Sequence, residues 1–430
     1  MKKVLNEVES LKGEKRFFYL LCFLFFVLPS GNQLLSNLAL FALFVHSLIS
    51  FNKAEAKSAL LNPLVFLPAL FFLYYASSAF WSSNVDAVAS ALETKLSILF
   101  SPFFLALNRR FLKERYWLSM LKALVYGSLA VFILAMLRAT YRAFLEGKSY
   151  FTVDSIRGSV DVSFFTYQEL IDVFMHPGYF ATYLGIAALI CIYFIFYSNH
   201  KIRWSFFLLI LVVALVLVQG RINLLAFIAV VGLGIFLYTL KSRQYKLLFI
   251  PLFGAMALAL FLFFAPKTLK DRYLSMPDFS YTISGGPEEF SSATYRLANW
   301  SSNWKLAQED IWFGKGIGDR YEAILDNYKK LGFHQGYIRG FNAHNQFLEI
   351  LIGGGIVGLL FYSIWLWGYF ILAAQAKDYL LMACLTFFLF CTLTESMLER
   401  AWAILLLMHF FPIGLLVAQK RLLGEETAET

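Results

Sequence analysis

The most prominent feature of the sequence is a series of apolar runs, separated by short polar segments, that recurs almost to the C-terminus. A run of about 17–25 apolar residues is long enough for an α-helix to cross the hydrocarbon core of a bilayer. Twelve runs of about this length occur, near 17–31, 34–50, 64–81, 89–107, 117–137, 177–197, 204–219, 221–240, 247–265, 345–372, 379–396 and 401–418. Because lipid cannot bind backbone polar groups, each run is expected to be helical. The pattern predicts an all-α membrane protein with about twelve transmembrane helices.

The composition agrees with this class. Of 430 residues, 59% are hydrophobic and only 15% are charged, which excludes a soluble enzyme, a disordered tail and a secreted disulfide scaffold. The four cysteines all fall inside apolar runs, where they are expected to behave as small hydrophobic residues rather than disulfides or metal ligands.

The distribution of basic residues predicts the orientation in the membrane. Lys and Arg precede the first run and fill alternate loops, at 53–57, 109–115, 201–203, 241–246, 377 and 420–421. The short turns on the other side, 32–33 and 82–88, contain none. Since cytoplasmic loops collect Lys and Arg, both termini are predicted to be cytoplasmic. Because topology accounts for much of the formal charge of +9, no nucleic-acid partner is expected.

The spans divide the chain into four parts. Residues 1–265 are predicted to hold helices one to nine with an outer loop at 138–176, and residues 266–344 form a large outer loop. Residues 345–418 hold helices ten to twelve, and 419–430 form a cytoplasmic tail. The large loop is expected to be partly helical, at 291–309 and 320–330, and its ten Lys or Arg residues suggest an anionic partner outside the membrane.

His344 is the strongest single candidate for chemistry, because it lies where the large loop enters span ten. Histidine gains and loses a proton near neutral pH, and at the water boundary it can do so without the cost of desolvation in lipid. It could therefore serve as a general base. The alternative is a boundary histidine that caps the first helical turn or binds a loop carbonyl group.

Two arginines could bind an anion. Arg221 follows Gly220 at the outer junction of spans seven and eight, where a guanidinium either extends to the membrane surface or binds a ligand. Arg296, one helical turn before Trp300 in the large loop, is either a solvated surface residue or a second anion contact. Arginine suits phosphate because its planar fork makes two parallel contacts.

Other polar residues are weaker candidates. His176, before Pro177 at the start of span six, could contribute to a site. Four charged residues in or beside spans should be paired or face a cavity, and these are Glu93, Lys95, Glu349 and Glu395. The sequence lacks Asp-x-Asp, His-Glu-x-x-His, Cys-x-x-Cys and Gly-x-Ser-x-Gly motifs, and the glycine-rich segment 314–318 is interpreted as a tight turn.

The order of these motifs resembles the O-antigen ligase superfamily, which includes O-antigen ligases, O-antigen polymerases and protein O-oligosaccharyltransferases. The resemblance covers residues from about 170 to 418. His344 and Asn345, then nine residues, Gly355, two residues and Gly358 are similar to the ligase signature. The Thr and polar residue that follow in the signature are replaced by Leu359 and Phe361.

The resemblance implies a GT-C-like architecture and an enzyme of the bacterial inner membrane with its active site in the periplasm. Such an enzyme transfers a glycan from undecaprenyl diphosphate to an acceptor hydroxyl, with inversion and without metal or other cofactor. His344 would be the catalytic base and Arg221 and Arg296 would bind the diphosphate. Asn345, Trp300 and His176 would support them.

The sequence is compatible with three functions. Transfer to lipid A-core is the principal hypothesis, and polymerisation of the glycan or its transfer to protein is the alternative within the superfamily. A transporter without catalysis, in which intramembrane charges line a permeation route, is the alternative from another class. The transporter would be favoured if Arg221, Arg296 and His344 lay far apart.

Overall fold

A computed structural model describes residues 2–145, 153–154, 159–160, 165–245, 256, 260, 263, 283 and 292–425. The helices in this part of the chain are α1 Lys2–Val27, α2 Gln33–Ile49, α3 Lys53–Leu60, α4 Pro63–Ser77, α5 Val85–Leu107, α6 Glu114–Leu145, α7 Tyr167–Ile171, α8 Pro177–Tyr197, α9 Lys201–Leu217, α10 Arg221–Ser242, α11 Ser292–Glu309, α12 Arg320–Lys330, α13 His334–Ile338, α14 Gln346–Gln375, α15 Tyr379–Thr392 and α16 Ala401–Leu422. Strands β1 Val153–Asp154 and β2 Ser159–Val160 pair antiparallel, with Val153 opposite Val160.

The helices account for most of the predicted spans. Eleven of the twelve apolar runs coincide with helices, and the ninth, 247–265, lies almost entirely outside the described residues. Within the described residues, seven helices are long and apolar enough to cross a membrane: Pro63–Phe80, Val85–Leu107, Glu114–Leu145, Pro177–Tyr197, Arg221–Ser242, Gln346–Gln375 and Ala401–Leu422. The chain is therefore a largely helical, multi-pass membrane protein, and a total of twelve spans stays a prediction.

Several helix boundaries differ from those predicted, and two of them change which residues lie in loops. Helix α6 continues to Leu145, inside the segment 138–176 that was predicted to be a loop. Helix α15 ends at Thr392, whereas the apolar run was predicted to remain helical to residue 396. The Leu393 carbonyl accepts a hydrogen bond from Asn345 Nδ2 at 3.0 Å, a tertiary contact that the apolar pattern does not reveal. Consequently Glu395 lies in a turn between α15 and α16.

The two helices predicted within the large loop are present as α11 and α12. With residues of α14, they enclose a small apolar core separate from the main core of the bundle. Its buried members are Ala298, Leu306, Ala307, Ile324, Tyr328, Phe333, Ala343, Leu351 and Ile352. Residues 292–344 of the large loop are called the loop segment below. Because Leu351 and Ile352 belong to α14, the loop segment packs directly on the helix that follows His344.

A break in α14 holds the loop segment in place. Gly355 has φ +61° and ψ −165°, outside the helical region, and a Cβ there would lie 2.2 Å from the Trp312 carbonyl carbon. At this break, the backbone of α14 forms hydrogen bonds with the backbone of the loop segment. Ile356 N donates to Ile311 O at 2.8 Å, and Lys315 N donates to Ile352 O at 2.7 Å. The loop is thereby fixed to the first turns of α14.

The glycine-rich segment 314–318 is a turn, as its sequence indicated, and it docks on the connection between α4 and α5. Ile317 N donates to Ser78 Oγ at 3.0 Å. Asp319, which follows the glycine-rich segment, accepts hydrogen bonds from Ser83 N at 2.7 Å and Asn84 N at 2.8 Å. These bonds place the loop segment over one end of the bundle.

Candidate active site

A cavity of about 450 Å³ lies at the end of the bundle that carries the loop segment. It is lined by Tyr167, His176, Pro177, Gly178, Gln219, Gly220, Arg221, Ile222, Asn223, Tyr295, Arg296, Arg339, Phe341, His344, Thr394 and Glu395. These residues come from six separate stretches of chain. The cavity therefore brings together Arg221, Arg296 and His344, which were selected from the sequence, and His176 as well.

Three of the longer helices begin at or beside the wall of this cavity. His176 caps α8, Gly220 precedes α10, and His344 lies just before Asn345, the cap of α14. Free N–H groups and the helix dipole make a helix N-terminus attractive to anions. At α10 no side chain caps the first turn. The backbone of the cavity wall therefore favours a negatively charged ligand.

The charged side chains reinforce this preference. Among the described lining residues there are three arginines, Arg221, Arg296 and Arg339, and a single carboxylate, Glu395. Arg221 is the first residue of α10, and Arg296 comes from α11. Arg339 is exposed, and its guanidinium lies 5.5 Å from the centre of the Tyr295 ring. The cavity has an excess of positive charge contributed by both the helical bundle and the loop segment.

His344 is held in an unusual backbone conformation. Its φ is +44°, a value uncommon for a residue other than glycine and costing about 1–3 kcal/mol. Its N–H donates to Asn342 Oδ1 at 3.0 Å, and its carbonyl accepts from Trp300 Nε1 at 3.1 Å. Such a conformation persists only where the surroundings determine it, and these bonds contribute to doing so.

Glu395 completes a pair with His344 and was not assigned this role from the sequence. Its Oε2 lies 3.3 Å from His344 Nδ1 and its Oε1 accepts a hydrogen bond from Arg296 at 2.9 Å. Burial alone would raise the pKa of Glu395, but the hydrogen bond and charge of His344, together with the charge of Arg296, outweigh it and lower the pKa to about 2. The carboxylate is therefore ionised at neutral pH and orients both neighbours.

The supporting residues occupy distinct places. Asn345 does not line the cavity; its Oδ1 caps α14 by accepting from Phe347 N and Leu348 N. Trp300 fixes the His344 carbonyl. His176 lines the cavity and accepts from Gly178 N through Nδ1. Burial lowers the pKa of His176, which favours its neutral form.

The sequence signal for Glu395 was incomplete. Its position in an apolar run indicated that it needed a partner or a cavity. The neighbouring sequence does not indicate that His344 and Arg296 are its partners. The same holds for Arg339, which appeared as one of ten basic residues in the large loop.

A model of the O-antigen ligase family matches residues 206–363 of the chain. The chain carries an O-antigen ligase domain. Its place in the O-antigen ligase superfamily, predicted from the order of motifs, is thereby confirmed. No curated protein matches the chain.

The O-antigen ligase domain contains Arg221, Arg296 and His344, whereas His176 and Glu395 lie outside the matched range and join it in space. Membership indicates a membrane enzyme of glycosyltransferase type that acts in O-antigen processing. The wide separation of the three residues that would have favoured a transporter is not observed, since all three line one cavity.

Proposed function

We propose that this O-antigen ligase domain transfers a glycan from undecaprenyl diphosphate to an acceptor hydroxyl, with lipid A-core as the acceptor. The proposed location is the periplasmic face of the inner membrane. The observation that carries the proposal is a single cavity. Two half-buried arginines, a histidine–glutamate pair and three helix N-termini meet there.

The donor's diphosphate fits the cationic side of the cavity. Arg221 and the N-terminus of α10 adjoin each other, and Arg296 faces the same space from the loop segment. Two guanidiniums can each grip phosphate oxygens at two points and remain charged at any physiological pH. They would stabilise the negative charge that develops on the departing diphosphate, a role that metal ions fill in other enzymes. The proposed reaction therefore needs no metal.

The bond changes follow from this placement. His344 accepts the proton of the acceptor hydroxyl as its oxygen attacks the anomeric carbon of the donor sugar. The bond from that carbon to the diphosphate oxygen breaks, and the diphosphate leaves with the electron pair on the opposite face. The configuration at the anomeric carbon is inverted. A positioned base of this kind contributes about 10²- to 10⁴-fold to the rate.

Glu395 assists by holding His344 and by stabilising the imidazolium that forms when the proton is taken. Because Glu395 is ionised and lies 3.3 Å from Nδ1, it favours the orientation in which Nε2 is left for the acceptor. Arg339, Tyr295 and Phe341 line the cavity on the side of the loop segment, where a phosphorylated saccharide acceptor would find both a cation and aromatic surface.

One observation favours a second acceptor class. Leu359 and Phe361 stand where the ligase signature has Thr and a polar residue. A polymerase, which uses another carrier-linked glycan as acceptor, or a protein transferase would share the donor chemistry.

The test is deletion of the gene followed by complementation with the wild-type chain or His344→Ala. Loss of glycan from lipid A-core, restored only by the wild type, is the expected result. Shortened glycans would identify a polymerase, and loss of glycan from protein would identify a protein transferase.

Membrane insertion of the His344→Ala variant is checked by its abundance in isolated membranes, and donor binding by retention of carrier lipid. Restoration of the glycan by an inserted His344→Ala variant would refute the assignment of the base.

A further inference from the structure

Glu349 is a fully buried carboxylate one turn into α14, and it lies outside the cavity. Its Oε2 accepts two hydrogen bonds, from Ala343 N at 2.8 Å and from Ser396 Oγ at 3.0 Å. These two donors belong to different parts of the chain, one in the loop that enters α14 and the other in the turn after α15.

The identity of the two donors is informative. Ala343 immediately precedes His344, and Ser396 immediately follows Glu395. A single carboxylate oxygen therefore ties together the two stretches of backbone that carry the histidine–glutamate pair. The side chains that these two stretches carry lie close together, with His344 Nδ1 3.3 Å from Glu395 Oε2.

The other oxygen of Glu349 belongs to a buried network of charge. Glu349 Oε1 lies 3.0 Å from Arg320 Nε, an ion pair whose geometry is not that of an aligned hydrogen bond. Arg320 also binds Glu399 at 2.8 Å, and Glu399 lies 3.0 Å from Lys95 Nζ. The network has two positive and two negative groups, so its charges balance.

Such a network is a costly way to stabilise a fold. Removing charges from water carries a free-energy penalty that their mutual attraction offsets only when the geometry is good. Apolar side chains in the same place often stabilise a fold equally well or better. Conformational specificity is one reason to retain buried charge. Here the specific consequence is visible, because Glu349 fixes the backbone on both sides of the candidate catalytic pair.

We propose that Glu349 is a positioning residue that sets the distance between His344 and Glu395, with Arg320 holding its other oxygen. The proposal rests on the proposed function. Misplacement of a catalytic group by about 1 Å can cost on the order of 10²-fold in rate, so the link should affect turnover more than donor binding.

Two substitutions at Glu349 separate positioning from charge balance. Glu349→Gln keeps the length of the side chain and an oxygen that can accept from Ala343 N and Ser396 Oγ, but it removes the charge facing Arg320. Glu349→Asp keeps the charge but is one methylene shorter, so it withdraws the oxygen from both donors.

The measurement is steady-state release of undecaprenyl diphosphate by purified protein in detergent. The donor is the undecaprenyl-diphosphate-linked glycan pool extracted from cells that lack the chain, and acceptor is supplied as membranes from the same cells. Rates are referred to folded protein, determined from thermal unfolding.

If Glu349 positions the pair, Glu349→Asp lowers turnover by about 10²-fold with little change in the KM for donor, whereas Glu349→Gln retains most turnover per folded molecule. If Glu349 only balances charge, the order is reversed, with Glu349→Asp near wild type, and the proposal is overturned.

A milder variant keeps the test usable if both substitutions impair folding. Ser396→Ala removes one of the two hydrogen bonds to Glu349 and should lower turnover by roughly 3- to 10-fold. Ser128→Ala is the matched control, since Ser128 is also a buried serine, bonded to a backbone carbonyl within α6. Equal turnover in the two serine variants would count against the link.

His344→Ala in the same assay separates the role of His344 as the base from the positioning role of Glu349. An active His344→Ala variant refutes the assignment of His344 as the base within the proposed function. An inactive one, beside an unaffected Glu349→Asp, refutes only the positioning role.

Discussion

Replacing Glu395 by Gln provides a quantitative test of the histidine–glutamate pair. The substitution keeps the shape of the side chain and removes the charge that faces both His344 and Arg296. The carboxylate side chain is only 10% exposed, so solvent screens these contacts little. Glu395→Gln should therefore remove most of the electrostatic interaction with His344 and Arg296.

The magnitude follows from the pKa of Glu395. A decrease from an ordinary value of 4.5 to about 2 corresponds to about 3 kcal/mol of preference for the ionised form in the folded protein. Because the pKa is lowered on folding, this stabilisation is complete above about pH 4.5 and is lost as the pH falls toward 2. Glu395→Gln should thus lower the free energy of unfolding by about 3 kcal/mol at neutral pH, and by less in acid.

The same contact is expected to stabilise protonated His344 during transfer. If about 3 kcal/mol is lost from that state, turnover falls on the order of 10²-fold. Turnover is measured as release of undecaprenyl diphosphate, and unfolding is followed in detergent between pH 7 and pH 3.

Asp172→Asn is the control, because Asp172 pairs with Arg138 at 2.8 Å in an exposed position where an ion pair contributes about 0–1 kcal/mol. Wild-type turnover in a folded Glu395→Gln variant would refute the role given to this carboxylate. A difference in stability that does not shrink in acid would refute the electrostatic explanation.

Other predictions concern the cations, the break in α14 and metal. Arg221→Lys and Arg296→Lys should each lower turnover about 10- to 100-fold, since an ammonium cannot make the two-point contact, and unchanged rates would exclude diphosphate binding there. Gly355→Ala should lower the free energy of unfolding in denaturant titrations by at least about 1–3 kcal/mol because φ is +61°. Gly232→Ala, where nothing lies within 4 Å, should be neutral or slightly stabilising, and similar results for both glycines would contradict the argument. Turnover should be undiminished in excess chelator, whereas a strict requirement for divalent metal would contradict the mechanism.

Much of the candidate site could be predicted because its residues stand at recognisable places. Arg221 and His344 lie at the ends of apolar runs, where a polar residue meets water, and the motif order added Arg296. The structure places all three on one cavity, although the roles assigned to them stay predictions.

The contacts of Glu395 and Arg320 could not be predicted from the sequence. Glu395 was placed inside span eleven because hydropathy does not reveal where α15 ends, and the contact between Asn345 and Leu393 joins distant parts of the chain. From the sequence, Arg320 was only one of the ten basic residues of the large loop, yet it is buried between Glu349 and Glu399. A pairing between distant residues leaves no local pattern.

The apolar pattern by itself determined that the chain forms membrane helices and where most of them lie, because lipid leaves the backbone no partner but itself. Polar residues at the boundaries also marked which side chains could meet a ligand. Only the tertiary structure decided which charges pair, how the loop segment enters α14 at Gly355, and that Glu349 joins the backbones of His344 and Glu395. Those outcomes depend on distances of a few ångströms between residues remote in sequence, and such distances arise only when the helices pack.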